Sequence, residues 1–96
     1  MRLPRLDLDF PMWTLYILYS ASLDKYYIGI SQDVDRRLKQ HNRPGSKGWT
    51  ARGRPWELVF THEYPDRLTA TRAERALKRR RSKRYLEKLV NGEVSL

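Results

Sequence analysis

Alternation of apolar and polar positions is strongest from Trp13 to Tyr19. In the run WTLYILY, Trp13, Leu15, Ile17 and Tyr19 fall on one side of an extended chain, and Thr14, Tyr16 and Leu18 on the other. This predicts a β-strand whose first face is the apolar one. Ser20 to Lys25 carries turn chemistry, and Tyr26 to Ile30 reads as a second strand with Tyr26, Ile28 and Ile30 on its apolar side. A hairpin with an even loop length then puts Tyr16 and Tyr27 on the same, less apolar face.

The period changes after Ser31. Ser31 or Asp33 can cap a helix reaching about Asn42, stopped by Pro44-Gly45. At 100° per residue Val34, Arg37, Leu38 and His41 share one side of it, and Arg36, Lys39 and Gln40 the other. Solubility alone does not call for an arginine and a histidine on the packing side. Residues 43–56 (RPGSKGWTARGRPW) are rich in glycine and proline and read as a flexible basic loop. Glu57 to His62 reads as a third strand, Thr69 to Arg81 as a helix, and Lys83 to Val90 as a last helix capped by Ser82. The order β-β-α-β-α-α predicts an α+β domain: a small three-stranded antiparallel sheet flanked by helices. Residues 1–11 are expected to form an irregular, flexible arm, 12–91 the domain and 92–96 a short tail.

At 96 residues the chain fits one domain with a thin core and a shallow site. With no cysteine it has no disulfide scaffold, thiolate zinc site or cysteine nucleophile, and a reducing, cytoplasmic home is the expectation. No apolar stretch is long enough for a bilayer span, and residues 1–11 show no signal-peptide pattern. The net charge is +9. Residues 36–54 carry Arg36, Arg37, Lys39, Arg43, Lys47, Arg52 and Arg54 without an acid, and 72–84 carry a second basic run around Glu74. Such segregation suits a polyanion, and Trp49, Trp56, Tyr64 and Tyr85 lie among the cations where they can stack on bases. Neither basic segment presents the wide apolar face that a membrane surface needs, so DNA or RNA is the expected partner. A solvated basic surface is the plainer alternative.

Tyr16, then Tyr27-Ile28-Gly29, Arg37, His41 and Glu74 form a spaced set. The segment L-Y-I-L-Y-S through Y-Y-I-G-I-S-Q-D-V-D-R-R-L-K-Q-H-N resembles the GIY-YIG nuclease domain, and within it the small single-domain bacterial members related to the nuclease domain of the bacterial excinuclease. The resemblance runs from Trp13 to Val90. Two positions depart from the family pattern: Thr14-Leu15-Tyr16 stands in place of GIY, and Ile30 stands where some relatives carry a lysine. It implies a GIY-YIG fold and a metal-dependent DNA endonuclease, structure-directed or weakly sequence-specific, serving repair or recombination. It also implies that one tyrosine is the general base or its partner; Tyr27 is favoured, with Tyr16 as helper.

The set is chemically coherent for phosphodiester hydrolysis. Arg37 supplies a permanently charged donor fork for a phosphoryl oxygen. Glu74 offers a carboxylate to one divalent cation, Mg²⁺ or Mn²⁺, with water and phosphate as its other ligands. Arg37, His41 and the metal would bias a phenol toward losing its proton. Arg36, Lys39, Lys47, Arg52, Arg54, Lys78, Arg79 and Arg80 are the candidate phosphate-backbone contacts.

Each residue also has an ordinary structural use. Tyrosines pack strands, Arg37 can pair with Asp33, and His41 can sit on the helix dipole. Glu74 can close a capping box with Thr71 or pair with Lys78. Two other functions remain open from sequence: a non-catalytic nucleic-acid-binding module, and a nuclease subunit whose protein partner, docking at Trp49 and Trp56, selects the substrate. A monomer is expected.

Overall fold

The computed structural model describes residues 12–45 and 48–96; the predicted arm (1–11) and Lys47 lie outside the described residues. Two strands, β1 (Trp13–Ser20) and β2 (Lys25–Ser31), form the expected hairpin. They are followed by α1 (Val34–Asn42), a 3₁₀ turn (Trp49–Gly53), β3 (Trp56–Tyr64), α2 (Arg67–Arg80) and α3 (Lys83–Val90). The sheet is antiparallel in the order β2-β1-β3, so β1 is central and β2 and β3 are edges. The α+β class and element order are those read from the sequence. Among the described residues no helix is long and apolar enough to cross a membrane.

Both faces of β1 are buried, which the alternation of its side chains does not indicate. Leu15 and Ile17 join Ile28, Leu77 and Leu89 in one cluster, formed where α2 and α3 pack on the sheet. Tyr16 and Leu18 join Trp56 in a second, covered by Val34 and Leu38 of α1. The less apolar face is therefore a second, smaller core. A bulge in the β1–β3 ladder shifts the pairing from Ile17–Phe60 to Leu18–Leu58. It lets Val59 and Phe60 both pack on the first cluster while Leu58 serves the second. Past α3, Val94 still packs against the first cluster.

Local signals set the helix ends. Asp33 caps α1 by accepting from the Arg36 amide at 3.1 Å, and Ser82 caps α3 by accepting from Tyr85 at 3.0 Å. Asp66 caps α2, accepting from the Thr69 amide at 2.8 Å. That helix therefore starts at Arg67, two residues before the predicted Thr69, and the Thr71–Glu74 capping box is not used. The predicted flexible loop 43–56 is shorter than expected, because its second half forms the 3₁₀ turn and enters β3. Trp56 is 3% exposed. It belongs to the core and not to a stacking or partner surface, which corrects that expectation. Its indole N–H donates to the Thr50 carbonyl at 2.7 Å.

Asn42, the last residue of α1, ties the helix to β3 as a strand neighbour would. Its Oδ1 accepts from the Trp56 amide at 2.6 Å, and its Nδ2 donates to the Trp56 carbonyl at 3.0 Å. Replacing Asn42 with alanine leaves both part-buried backbone groups without a partner. The expected loss is about 1–3 kcal/mol of stability, read as a lower urea midpoint at unchanged slope.

Candidate active site

In the β1–β2 ladder Tyr16 stands opposite Gly29, and Leu18 opposite Tyr27. The two tyrosines thus share the face covered by α1. The Tyr16 side chain, 1% exposed, lies across the neighbouring strand. A Cβ on Gly29 would come within 2.6 Å of the Tyr16 hydroxyl oxygen and 2.7 Å of Cζ. The ring occupies the space that any side chain at position 29 would need. This explains why glycine follows Tyr27-Ile28.

Helix α1 brings the next two groups in from above the sheet, on the face its spacing predicts. His41, 8% exposed, holds Nε2 at 3.5 Å from the Tyr16 hydroxyl, the outer limit of a hydrogen bond. The Tyr27 and His41 rings are 4.5 Å apart between centroids, and Tyr16 and Tyr27 are 6.1 Å apart. Arg37 does not pair with Asp33. Its Nη1 donates to Gln40 Oε1 at 2.8 Å, and the guanidinium acts on the hydroxyls of both tyrosines. Helical periodicity places Gln40 on the outer side of α1, yet its amide reaches round to Arg37. The distance of three residues between the two is the signal for this contact.

Electrostatics give these groups different states. Burial pushes the Tyr16 hydroxyl above the ordinary tyrosine value, with the Arg37 guanidinium pulling it back to a lesser extent. Tyr16 therefore keeps its proton at neutral pH. Burial, and secondarily the charge of Arg37, push His41 below the ordinary histidine value, so its imidazole is neutral there. Hydrogen bonding to Tyr16 holds the Arg37 cation even more firmly than usual. The constellation is thus a fixed positive charge, a neutral imidazole, a buried protonated phenol and the half-buried phenol of Tyr27.

Glu74 stands apart from these four. It lies on α2, which packs on the other face of the sheet, and its carboxylate pairs with Lys78 Nζ at 3.1 Å. Lys78 in turn lines a cavity of about 440 Å³ that it shares with Tyr27 and Trp49. The link between Glu74 and the phenols therefore runs through Lys78 at the outer edge of β2. The Glu74 side chain is 18% exposed. No group of three or more histidine, aspartate and glutamate side chains able to hold a metal occurs among the described residues. One carboxylate does not make a preformed cage. It does suit a hydrated Mg²⁺ or Mn²⁺ that completes its shell with water and a substrate phosphate, and the donor set fits a cation of that kind.

The candidate phosphate contacts form two groups. Arg36, Lys39 and Arg52 are exposed on the α1 and 3₁₀ side, while Arg54 donates to the Arg43 carbonyl. Lys78, Arg79 and Arg80 lie at the end of α2 on the other side. Arg80 is stacked on Tyr85 at 3.7 Å, which occupies one face of that ring and corrects its reading as a free stacking surface. Lys25, Arg81 and Lys83, absent from the contacts expected from sequence, line the cavity between the two groups. Their relation depends on how the hairpin and the α2–α3 corner meet, and no spacing in the sequence signals it.

Two outcomes follow from this geometry. Gly29→Ala should cost about 1–3 kcal/mol by overpacking and should drive the Tyr16 ring from His41, visible together as a lower unfolding midpoint and a changed His41 imidazole NMR shift. Because His41 has a lower pKa folded than unfolded, its contribution to stability is complete above about pH 6.5 and is lost as pH falls through the folded value. Asp24 and Asp66 are also held low, by Lys83 and by the Thr69 amide respectively, but they lose their contribution in a separate window below about pH 4. A thermal-unfolding series from pH 8 to 2 should therefore show a decline below about pH 6.5 that His41→Asn removes, leaving the acid limb below about pH 4 in place.

A family model described as the GIY-YIG catalytic domain matches residues 12–88. A UPF0213 protein of Xanthomonas axonopodis pv. citri is 42% identical over 67 residues, covering 70% of this chain and 65% of that protein. The structure-specific endonuclease subunit SLX1 of Cryptococcus neoformans var. neoformans is 34% identical over 89 residues, covering 86% of this chain but 18% of that longer protein. Among solved structures, the solution NMR structure of a UPF0213 protein from Bacillus halodurans superposes with a TM-score of 0.52 at 37% identity, covering 83% of each chain. The tyrosine pair on a shared strand face, the glycine beneath it and this extended match lead to one conclusion: the chain belongs to the GIY-YIG family, in its UPF0213 group, with residues 12–88 as the catalytic domain.

Proposed function

We propose that this protein is a metal-dependent DNA endonuclease that hydrolyses phosphodiester bonds where the β1–β2–α1 face meets the end of α2 at the edge of β2. The observation that carries this reading is the convergence of Tyr16, Tyr27, Arg37 and His41 in one small site, with the Arg37 charge, the neutral His41 ring and the protonated Tyr16 hydroxyl side by side. Phosphodiester cleavage needs a donor for the charge that grows on the phosphoryl oxygens and an acceptor for a proton from water. Arg37 is the donor. Tyr27 is the accessible phenol, and the neutral His41 ring beside it is a resting place for a proton. Tyr16 keeps its own proton and uses it to orient its neighbours. Glu74 is the residue that would hold a divalent cation, and such an ion supplies Lewis-acid stabilisation of phosphate charge when bound.

Substrate choice is structure-directed or weakly sequence-specific in this reading, because the cations contact backbone phosphate and do not read base edges. Similarity to the fungal structure-specific endonuclease supports a role in DNA repair or recombination. That relative is one subunit of an assembly, which also favours a second reading in which a partner protein presents the DNA.

Plasmid, flap and junction DNAs incubated with Mg²⁺ or Mn²⁺ test the proposal. Wild type should cut at least one of them, and Arg37→Ala and Glu74→Gln should each lower the rate by about a hundredfold or more while retaining DNA binding. Equal nicking by wild type and Glu74→Gln would overturn the catalytic assignment. Cleavage that appears only when cell extract is added would favour the partner-dependent reading.

A further inference from the structure

Trp49 is 45% exposed, although its ring is held firmly from below. It stands edge-on to the buried Trp56, with centroids 5.6 Å apart and planes at 83°, and its centroid is 6.0 Å from that of Tyr27. Trp49 and Tyr27 wall one side of the cavity at the outer edge of β2, and Leu77, Lys78 and Arg81 wall the other. At about 440 Å³ the cavity is the size of a small-ligand pocket, with room for one nucleobase and its sugar.

The charge of the lining is complementary to a phosphate. Lys78 pairs with Glu74 and Lys83 with Asp24, whereas Lys25 and Arg81 have no ion-pair partner among the described residues. Arg81 also closes α2 with φ 50° and ψ 38°, the left-handed region where helices commonly end in glycine. An arginine there adopts a conformation unfavourable to a side chain, and that side chain lines the cavity.

We infer that this cavity receives a single unpaired nucleotide of a nucleic-acid strand, its base stacked on Trp49 and its phosphate facing Lys25 and Arg81. A base inside a duplex is stacked on both faces and has none to offer an indole, whereas an extrahelical or single-stranded base has. With Tyr27 at the pocket wall, the captured nucleotide places the adjoining linkage beside the catalytic phenols. The inference rests on the nuclease reading and narrows it to strands bearing an unpaired nucleotide next to the cut.

The test measures binding without divalent metal, so that cleavage does not enter it. Two duplexes of equal length are used, one fully paired and one carrying a single bulged 2-aminopurine. Wild type should bind the bulged duplex about tenfold more tightly and change its 2-aminopurine emission, as expected for one stacked base. Trp49→Leu keeps an apolar contact with Trp56 and should abolish both the preference and the emission change; Trp49→Phe should restore much of each. Arg81→Gly relieves the left-handed constraint, so it should fold at least as stably as wild type while losing affinity for the bulged duplex.

Equal affinity of wild type for the two duplexes, or a preference unchanged in both Trp49→Leu and Arg81→Gly, overturns the pocket and leaves the nuclease reading intact. Failure of wild type to bind either duplex overturns both. Should Trp49→Leu not fold, Arg81→Gly decides alone: a preference unchanged in that variant overturns the pocket, and its loss supports it.

Discussion

The site depends on the burial of a polar aromatic side chain at the centre of a very small sheet. With only three strands, the middle one is covered on both sides, and its side chains must fill two cores. One of the filling residues is Tyr16, which carries a hydroxyl into a place water hardly reaches. Such a group is costly to bury without partners, and no buried side-chain polar atom is left unpaired among the described residues. Packing Tyr16 therefore requires polar company, and His41 and Arg37 on the inner side of α1 provide it. The glycine opposite is the other half of the requirement, since the ring lies where a side chain would otherwise stand. The chemistry of the site thus grows out of a packing problem.

Much of this was legible in the sequence because it rests on short-range periodicity. Strict alternation gave the hairpin and put Tyr16 and Tyr27 on one face, and the four-residue step from Arg37 to His41 gave the inner side of α1. Capping chemistry at Asp33 and Ser82 was equally local. The misses share a different cause. The burial of Trp56 depends on Asn42, fourteen residues away, pairing with its backbone. Glycine and proline around it signalled flexibility, while a long-range contact had fixed the second half of that segment. The second core on the Tyr16 face was invisible for the same reason, because alternation says which residues share a face and not what covers it. At α2 the sequence reading starts the helix at Thr69, but Asp66 offers its carboxylate to the Thr69 amide and begins the helix two residues earlier.

Charge separation follows from the same architecture. The two basic segments of the sequence lie on opposite faces of the sheet, one with α1 and the 3₁₀ turn, the other with the end of α2. The second of them reaches the edge of β2 beside Trp49. A long edge strand with free backbone groups invites pairing with another chain, and cations there discourage it. Lys25 on that edge, with Lys78 and Arg81 across the cavity, serves this end while concentrating positive potential beside Tyr27. The sequence carried the charges in two blocks; the end of the second, with Lys25 of the hairpin, lines the cleft.

The Glu74–Lys78 pair bears on how such a cleft can work with a single carboxylate. An i,i+4 pair on a helix contributes only about 0.3–0.5 kcal/mol, and here the lysine side chain is more than half exposed. Its ammonium is thus readily given up. A phosphate entering the cleft would attract Lys78 toward itself and leave the carboxylate free, so the arrival of substrate and the release of Glu74 are favourable together. In the absence of nucleic acid, Lys78 neutralises a carboxylate that would otherwise repel the phosphate backbone. This exchange requires only that the weak partner border the space the substrate occupies, and Lys78 lines that cavity.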